Sequence, residues 1–155
     1  MTPPLVGPFP PNSDLVAQAW LAQRAPGLVA GQIAAQLPAV ESWLAEGFVT
    51  IASIPGTQPN IDVPIRRPIF QIDTWGAAGA QTAKPHWPKA YRLAELIRLA
   101  TEAGQTYGNL VTLPDEYTDA RVQAAYLISE PSRVPGDPSG YAHVTFDLAL
   151  DWVPA

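Results

Sequence analysis

The chain has 155 residues, of which 47% are hydrophobic and 15% charged, and a formal net charge of −5. A chain of this length buries about 70% of its unfolded surface, so a real core forms and general disorder is excluded. The acidic balance excludes capture of nucleic acid on a basic face. The absence of cysteine excludes disulfide scaffolds, thiol nucleophiles and cysteine metal sites. No positively charged, apolar leader of signal-peptide type opens the chain, and no apolar run approaches the ~20 residues of a membrane span. A soluble protein made and used inside a cell is expected.

The 18 prolines and 11 glycines make up about one residue in five, so much of the chain is expected as loop, turn or extended arm. Residues 1–12 hold five prolines and read as a polyproline II arm, either frayed or lying on a neighbour. Residues 13–155 read as a single domain. Ser13 is the expected N-cap of a first helix over 14–25, with Asp14 in its first turn and Pro26-Gly27 as its stop. Residues 28–37 read equally as a short strand or a helical turn. Pro38 to Glu46, stopped by Gly47, predicts a two-turn helix carrying Trp43.

Phe48–Ile54 is the first expected strand. Ile65–Thr74 is the second, with Phe70 and Ile72 on one face and Arg67, Gln71 and Asp73 on the other. Pro64 and Pro68 place it at an edge or give it a bulge. Trp75–Pro85 is a glycine- and alanine-rich loop. His86–Ala103 is the second long helix, with Pro88 in its first turn and an apolar stripe of Tyr91, Leu93, Leu96, Ile97 and Ala100. A second long connection follows over 105–120, with an extended piece at Leu110–Leu113. Arg121–Ser129 and Tyr141–Trp152 are the third and fourth strands, joined as a hairpin through the turn residues 135–140. In the last strand Ala142, Val144, Phe146, Leu148, Leu150 and Trp152 alternate with polar neighbours. The expected fold is therefore α/β in the α+β sense: a mostly antiparallel, four-stranded mixed sheet with helices packed on one face.

No P-loop, HExxH or GxSxG motif is present, so no catalytic residue, cofactor or metal is assigned and an enzyme is not expected. His86 and His143 have neither a second histidine nor a close carboxylate pair at metal-ligand spacing, and a surface or capping role is expected for each. Asp147 and Asp151 share one strand face at about 13 Å, too far apart for a carboxylate dyad. Asp115, Glu116 and Asp119 cluster in a loop that matches no calcium-binding pattern, and read as a solvated acidic loop. Trp20, Trp43 and Trp152 are expected in the core. Trp75 and Trp87 fit the core and an interface equally well. So low a charge fraction points to surface that does not face water, as in stable oligomers.

Several stretches, in their order, resemble the tail terminator proteins of long-tailed bacteriophages, especially those infecting actinobacteria. They are Ala19-Trp20-Leu21, Trp43 before Gly47-Phe48-Val49, the run Arg67 to Trp75, Lys84-Pro85-His86-Trp87, Ala120-Arg121-Val122, Glu130-Pro131 and Tyr141-Ala142-His143-Val144. The resemblance spans Leu15 to Trp152 and contains no catalytic signature. It implies a mixed sheet flanked by helices and a hexameric ring of identical subunits. Such a ring sits on the end of the tail tube in the virion, contacts the major tail tube protein, ends polymerisation and offers a surface to the head-completion or stopper protein. DNA passes through its lumen without sequence-specific binding. On this reading Trp75, Lys84, His86, Trp87 and Tyr117 are candidates for the subunit interface, and Asp147 and Asp151 for an acidic lumen lining. The alternatives are a neck or head-completion connector, and a small ligand-binding domain or enzyme using His86, Asp73 and the acidic loop.

Overall fold

The computed structural model describes residues 8–25, 27–28, 30–56, 64–78, 85–103 and 109–155. In chain order its elements are helix α1 (Ser13–Arg24), strands β1 (Ile33–Ala34), β2 (Phe48–Ser53) and β3 (Ile69–Gly76), helix α2 (Trp87–Glu102), and strands β4 (Asn109–Val111), β5 (Ala120–Leu127), β6 (Ser132–Arg133) and β7 (Ala142–Pro154). The sheet has seven strands in the order β1-β2-β3-β7-β5-β4, with β6 also paired to β7. It is a curled mixed sheet, a half-barrel, so the α+β class holds but the expected four strands do not. Strands β2, β3, β5 and β7 are the expected four. The three others are fragments of two or three residues paired along them. Among the described strands only β1 against β2 is parallel.

The sheet is built around β7. Its 13 residues pair with β3 on one side and with β5 and β6 on the other. Alternation explains its length: Ala142, Val144, Phe146, Leu148, Leu150 and Trp152 are each at most 2% exposed. Phe70 and Ile72 of β3 and Val49 and Ile51 of β2 continue this face, and both helices pack into the same cluster. Burying a side chain such as Phe70 or Phe146 stabilises the fold by roughly 1.5–3 kcal/mol.

Helix α1 buries Val16, Ala17, Trp20 and Leu21, with Asp14 in its first turn and Arg24 in its last, each matching the helix dipole. Its N-cap is Asn12 rather than Ser13: Asn12 Oδ1 accepts from the Leu15 amide at 2.8 Å. The Ser13 hydroxyl instead accepts from Trp152 Nε1 at 3.0 Å, tying the helix start to the end of β7. Helix α2 lies across β3, β5 and β7 and buries Ala90, Leu93, Ala94, Ile97 and Ala100. Thr74 Oγ1 of β3 donates to the Ala90 carbonyl at 2.7 Å within this contact.

Strand β3 begins at Ile69, four residues later than expected. Pro68 has no N–H for the ladder, and before it only Arg66 pairs with β7, exchanging both backbone bonds with Trp152. The expected helix over 38–46 is a single 3-10 turn, Val40–Ser42. Trp43 leaves helical geometry there, donates Nε1 to the Pro38 carbonyl at 3.0 Å and enters a second, smaller cluster with Val40, Phe48 and Ala77. Of the proline arm, residues 1–7 lie outside the described residues, while Phe9 forms a parallel bridge with Tyr117.

Candidate functional site

The two faces of the sheet differ. One packs on the helices. Strand register sets out the other in rows: Phe48–Trp75–His143, then Thr50–Asp73–Thr145–Ser132, then Ala52–Gln71–Asp147, then Ile69–Ala149–Tyr126. At one end this face is capped by the cluster of Trp43 and Phe48, joined by Trp75 and by Tyr141, whose ring meets Trp43 edge-on at 5.2 Å. Toward the other end Tyr126 and Ile128 are 51% and 50% exposed.

At the capped end stands a group of polar side chains that sequence reasoning did not assemble. His143 lies flat on Trp75, its direct cross-strand partner, with ring centroids 4.0 Å apart. Its Nε2 is 2.6 Å from Asp73 Oδ1 and its Nδ1 2.9 Å from Asp137 Oδ2. All three side chains are nearly buried, at 12–13% exposure. Asp73 also accepts from Gln71 Nε2 at 3.1 and 3.3 Å. Asp137 accepts from the hydroxyl of Ser139 and from its amide. Burial acts to raise the Asp137 pKa, but the Ser139 bonds and His143 outweigh it and hold the carboxylate below its ordinary value. Trp75 Nε1 donates to Thr50 Oγ1 at 3.0 Å, which fixes the ring that His143 lies on.

His143 therefore has the close carboxylates that the sequence did not reveal, and the surface or capping role expected for it is replaced by a bridge. Strand register makes the difference. Asp73 and His143 are 70 residues apart and become diagonal neighbours only because Trp75 pairs with His143. The one available signal was that Asp73 and His143 both fall on polar strand faces. Both ring nitrogens face carboxylates, so neither is turned to a hydroxyl nucleophile; the geometry is that of a fastening.

His86 is the N-cap of α2, its Nδ1 accepting from the Lys89 amide at 3.2 Å, which agrees with the capping role. The histidine beside Asp73 is His143, not the His86 of the enzyme alternative. Trp87 is half-buried beneath the Arg133 guanidinium at 4.5 Å. Tyr117 packs partly on the main core. Trp75 is partly buried in the second cluster, and Lys84 lies outside the described residues. Asp147 and Asp151 sit on the face away from the helices, Asp151 at 3.9 Å from Arg67. In the acidic loop Asp119 Oδ1 accepts from the Leu113 amide at 3.0 Å, a loop-closing role. Among the described residues no group of three or more histidines and carboxylates is placed to hold a metal ion, and no helix is long and apolar enough to cross a membrane. The sequence matches no protein-family model, and no curated protein matches it.

Proposed function

We propose that the chain is the subunit of a homo-oligomeric ring, hexameric by its resemblance, that caps the tail tube of a long-tailed bacteriophage. The ring ends tube growth and presents the surface on which the head is joined. The observation that carries this reading is the sheet face away from the helices. No helix covers it among the described residues, and half-exposed Tyr126 and Ile128 stand on it in a chain with only 15% charged residues. Exposed aromatic and apolar groups, in a chain poor in charge as a whole, suit the core of an interface. The order of motifs set out above supports the assignment of that interface to a tail ring.

Asp147 and Asp151 stand on the same face. Carboxylates lining a lumen repel the phosphate backbone, so DNA slides past without being held. Replacing both by lysine is expected to slow DNA passage through the rings that form. A ring that placed both carboxylates on its outer wall would remove them from this role.

The loop after β3 is a second candidate contact. Ala77 is fully buried and bridges Pro85, so a deletion starting at Ala77 removes core. Replacing residues 78–84 by an Asn-Gly turn keeps that bridge and suits a two-residue hairpin. The expected product is a folded monomer unable to form rings. An unchanged oligomer would take the loop out of the interface. For the parent chain, light scattering over a concentration series is expected to show mass rising toward six times 16.6 kDa. A strict monomer that also leaves tube ends uncapped would refute the reading.

A further inference from the structure

A carboxylate only accepts hydrogen bonds, and a neutral imidazole has one N–H. His143 has a carboxylate oxygen within bonding distance of each ring nitrogen. One of the three groups must therefore carry an additional proton. Asp73 already accepts from Gln71, and Asp137 accepts from Ser139 twice, bonds that help hold the Asp137 carboxylate below its ordinary pKa. The proton belongs on the ring, which lies on the face of Trp75, where a cation is favoured.

We propose that His143, doubly protonated between Asp73 and Asp137, is a pH-sensitive clamp that fastens the 135–140 turn and Tyr141 over the Trp43–Phe48–Trp75 cluster. When the ring gives up its second proton to solvent, one nitrogen turns a lone pair toward a carboxylate. The two carboxylates are not equally able to move. Asp73 is within β3, paired on both sides by β2 and β7. Asp137 is in a turn between Gly136 and Gly140, both at positive φ. The turn also borders an open surface pocket shared with Pro85 and Trp87. The Asp137 side yields, and Tyr141, four residues on, loses its seat against Trp43.

No other charged side chain hydrogen-bonds to the ring among the described residues. β2 presents neutral Thr50 beside Asp73, β6 presents Ser132, and β7 flanks the ring with Tyr141 and Thr145. Tyr141 is the further titratable group on that strand face, and its ring is turned to Trp43. Arg133 is directed to the opposite face, over Trp87 and Tyr91.

The test follows the intact chain from pH 5.5 to 9.5. Long-range nitrogen–proton NMR reads the protonation of the His143 ring, and amide hydrogen exchange, corrected for its intrinsic pH dependence, reads residues 134–141. The expected result is two protonated ring nitrogens with a protected turn at the acid end. Protection then falls about ten- to a hundredfold as the second proton leaves, the worth of one charge-assisted bond. Asp137→Asn is expected to abolish that step, because an amide can serve either state of the ring. A ring with a single proton while the turn is fully protected would overturn the proposal, as would protection that ignores the ring's titration. The wild-type titration decides by itself if the variant does not fold.

Discussion

Gly76→Ala tests how closely α2 is seated on β3. A Cβ built at Gly76 falls 2.4 Å from the His86 carbonyl oxygen, 2.9 Å from Lys89 Cβ and 3.0 Å from the Ala90 nitrogen. Two of these atoms are backbone in the first turn of α2, so no side-chain rotation relieves the clash. The helix start must retreat by something like 1 Å. That strains the His86 amide bond to the Gly76 carbonyl, 3.2 Å, and the Lys89 ammonium, which donates to the Leu44 and Ala77 carbonyls at 2.9 and 3.1 Å. Overpacking of this kind costs about 1–3 kcal/mol, and with the strained bonds the upper half of that range is expected. For a chain of this size that lowers the thermal midpoint by roughly 4–12 °C. Urea unfolding followed by tryptophan fluorescence measures the cost directly. Gly31→Ala is the control: no atom of the described residues lies within 4 Å of its Cβ, and a change within about 0.5 kcal/mol is expected. If Gly76→Ala were as mild as the control, the close seating of α2 would be refuted.

Trp152 and Trp20 are both fully buried, but Trp152 Nε1 donates to Ser13 whereas Trp20 Nε1 has no partner among the described residues. Trp152→Phe is therefore expected to cost more than Trp20→Phe, by about 1 kcal/mol, in denaturant titrations. Asp137 has its folded pKa depressed below 3.8, so its contribution is complete above that value and fades as pH falls through the folded value. The stability advantage of the wild type over Asp137→Asn is expected to be constant from pH 5 to 6 and to shrink below about pH 4; growth on acidification would reverse the sign and refute it. Arg98 joins Glu95 and Glu102 on the exposed side of α2. Any effect of Arg98→Ala on the thermal midpoint is expected to vanish in about 1 M salt, where the Debye length is about 3 Å.

The long elements were legible because each carries its own period. The alternation and the helical stripe gave Tyr141–Trp152 and His86–Ala103, which match β7 and α2 to within about two residues, the usual uncertainty of element ends. The turn residues 135–140 likewise marked the hairpin, in which β5 and β6 both lie against β7. Strand β1 was legible only as one of two readings of 28–37, β4 only as an extended piece at Leu110–Leu113, and β6 not at all, since two or three residues have no period; their pairing with longer neighbours makes them strands. The segment around Trp43 failed for a related reason. Its helix signals, Pro38 and Gly47, were real, but seating the indole beside Phe48 and Tyr141 ends the helix after one 3-10 turn. The His143 bridge is the clearest case of tertiary information. Its three members come from β3, a turn and β7, and nothing local to any of them names the other two.

Capping of a growing tail tube is the function proposed for this chain. Its most direct measurement is electron microscopy of purified tail-tube protein polymerising with and without the chain. Tubes that stop lengthening are expected, with a ring of this chain, six-fold by its resemblance, at one end. Tubes that lengthen equally in both reactions, with bare ends, would contradict it.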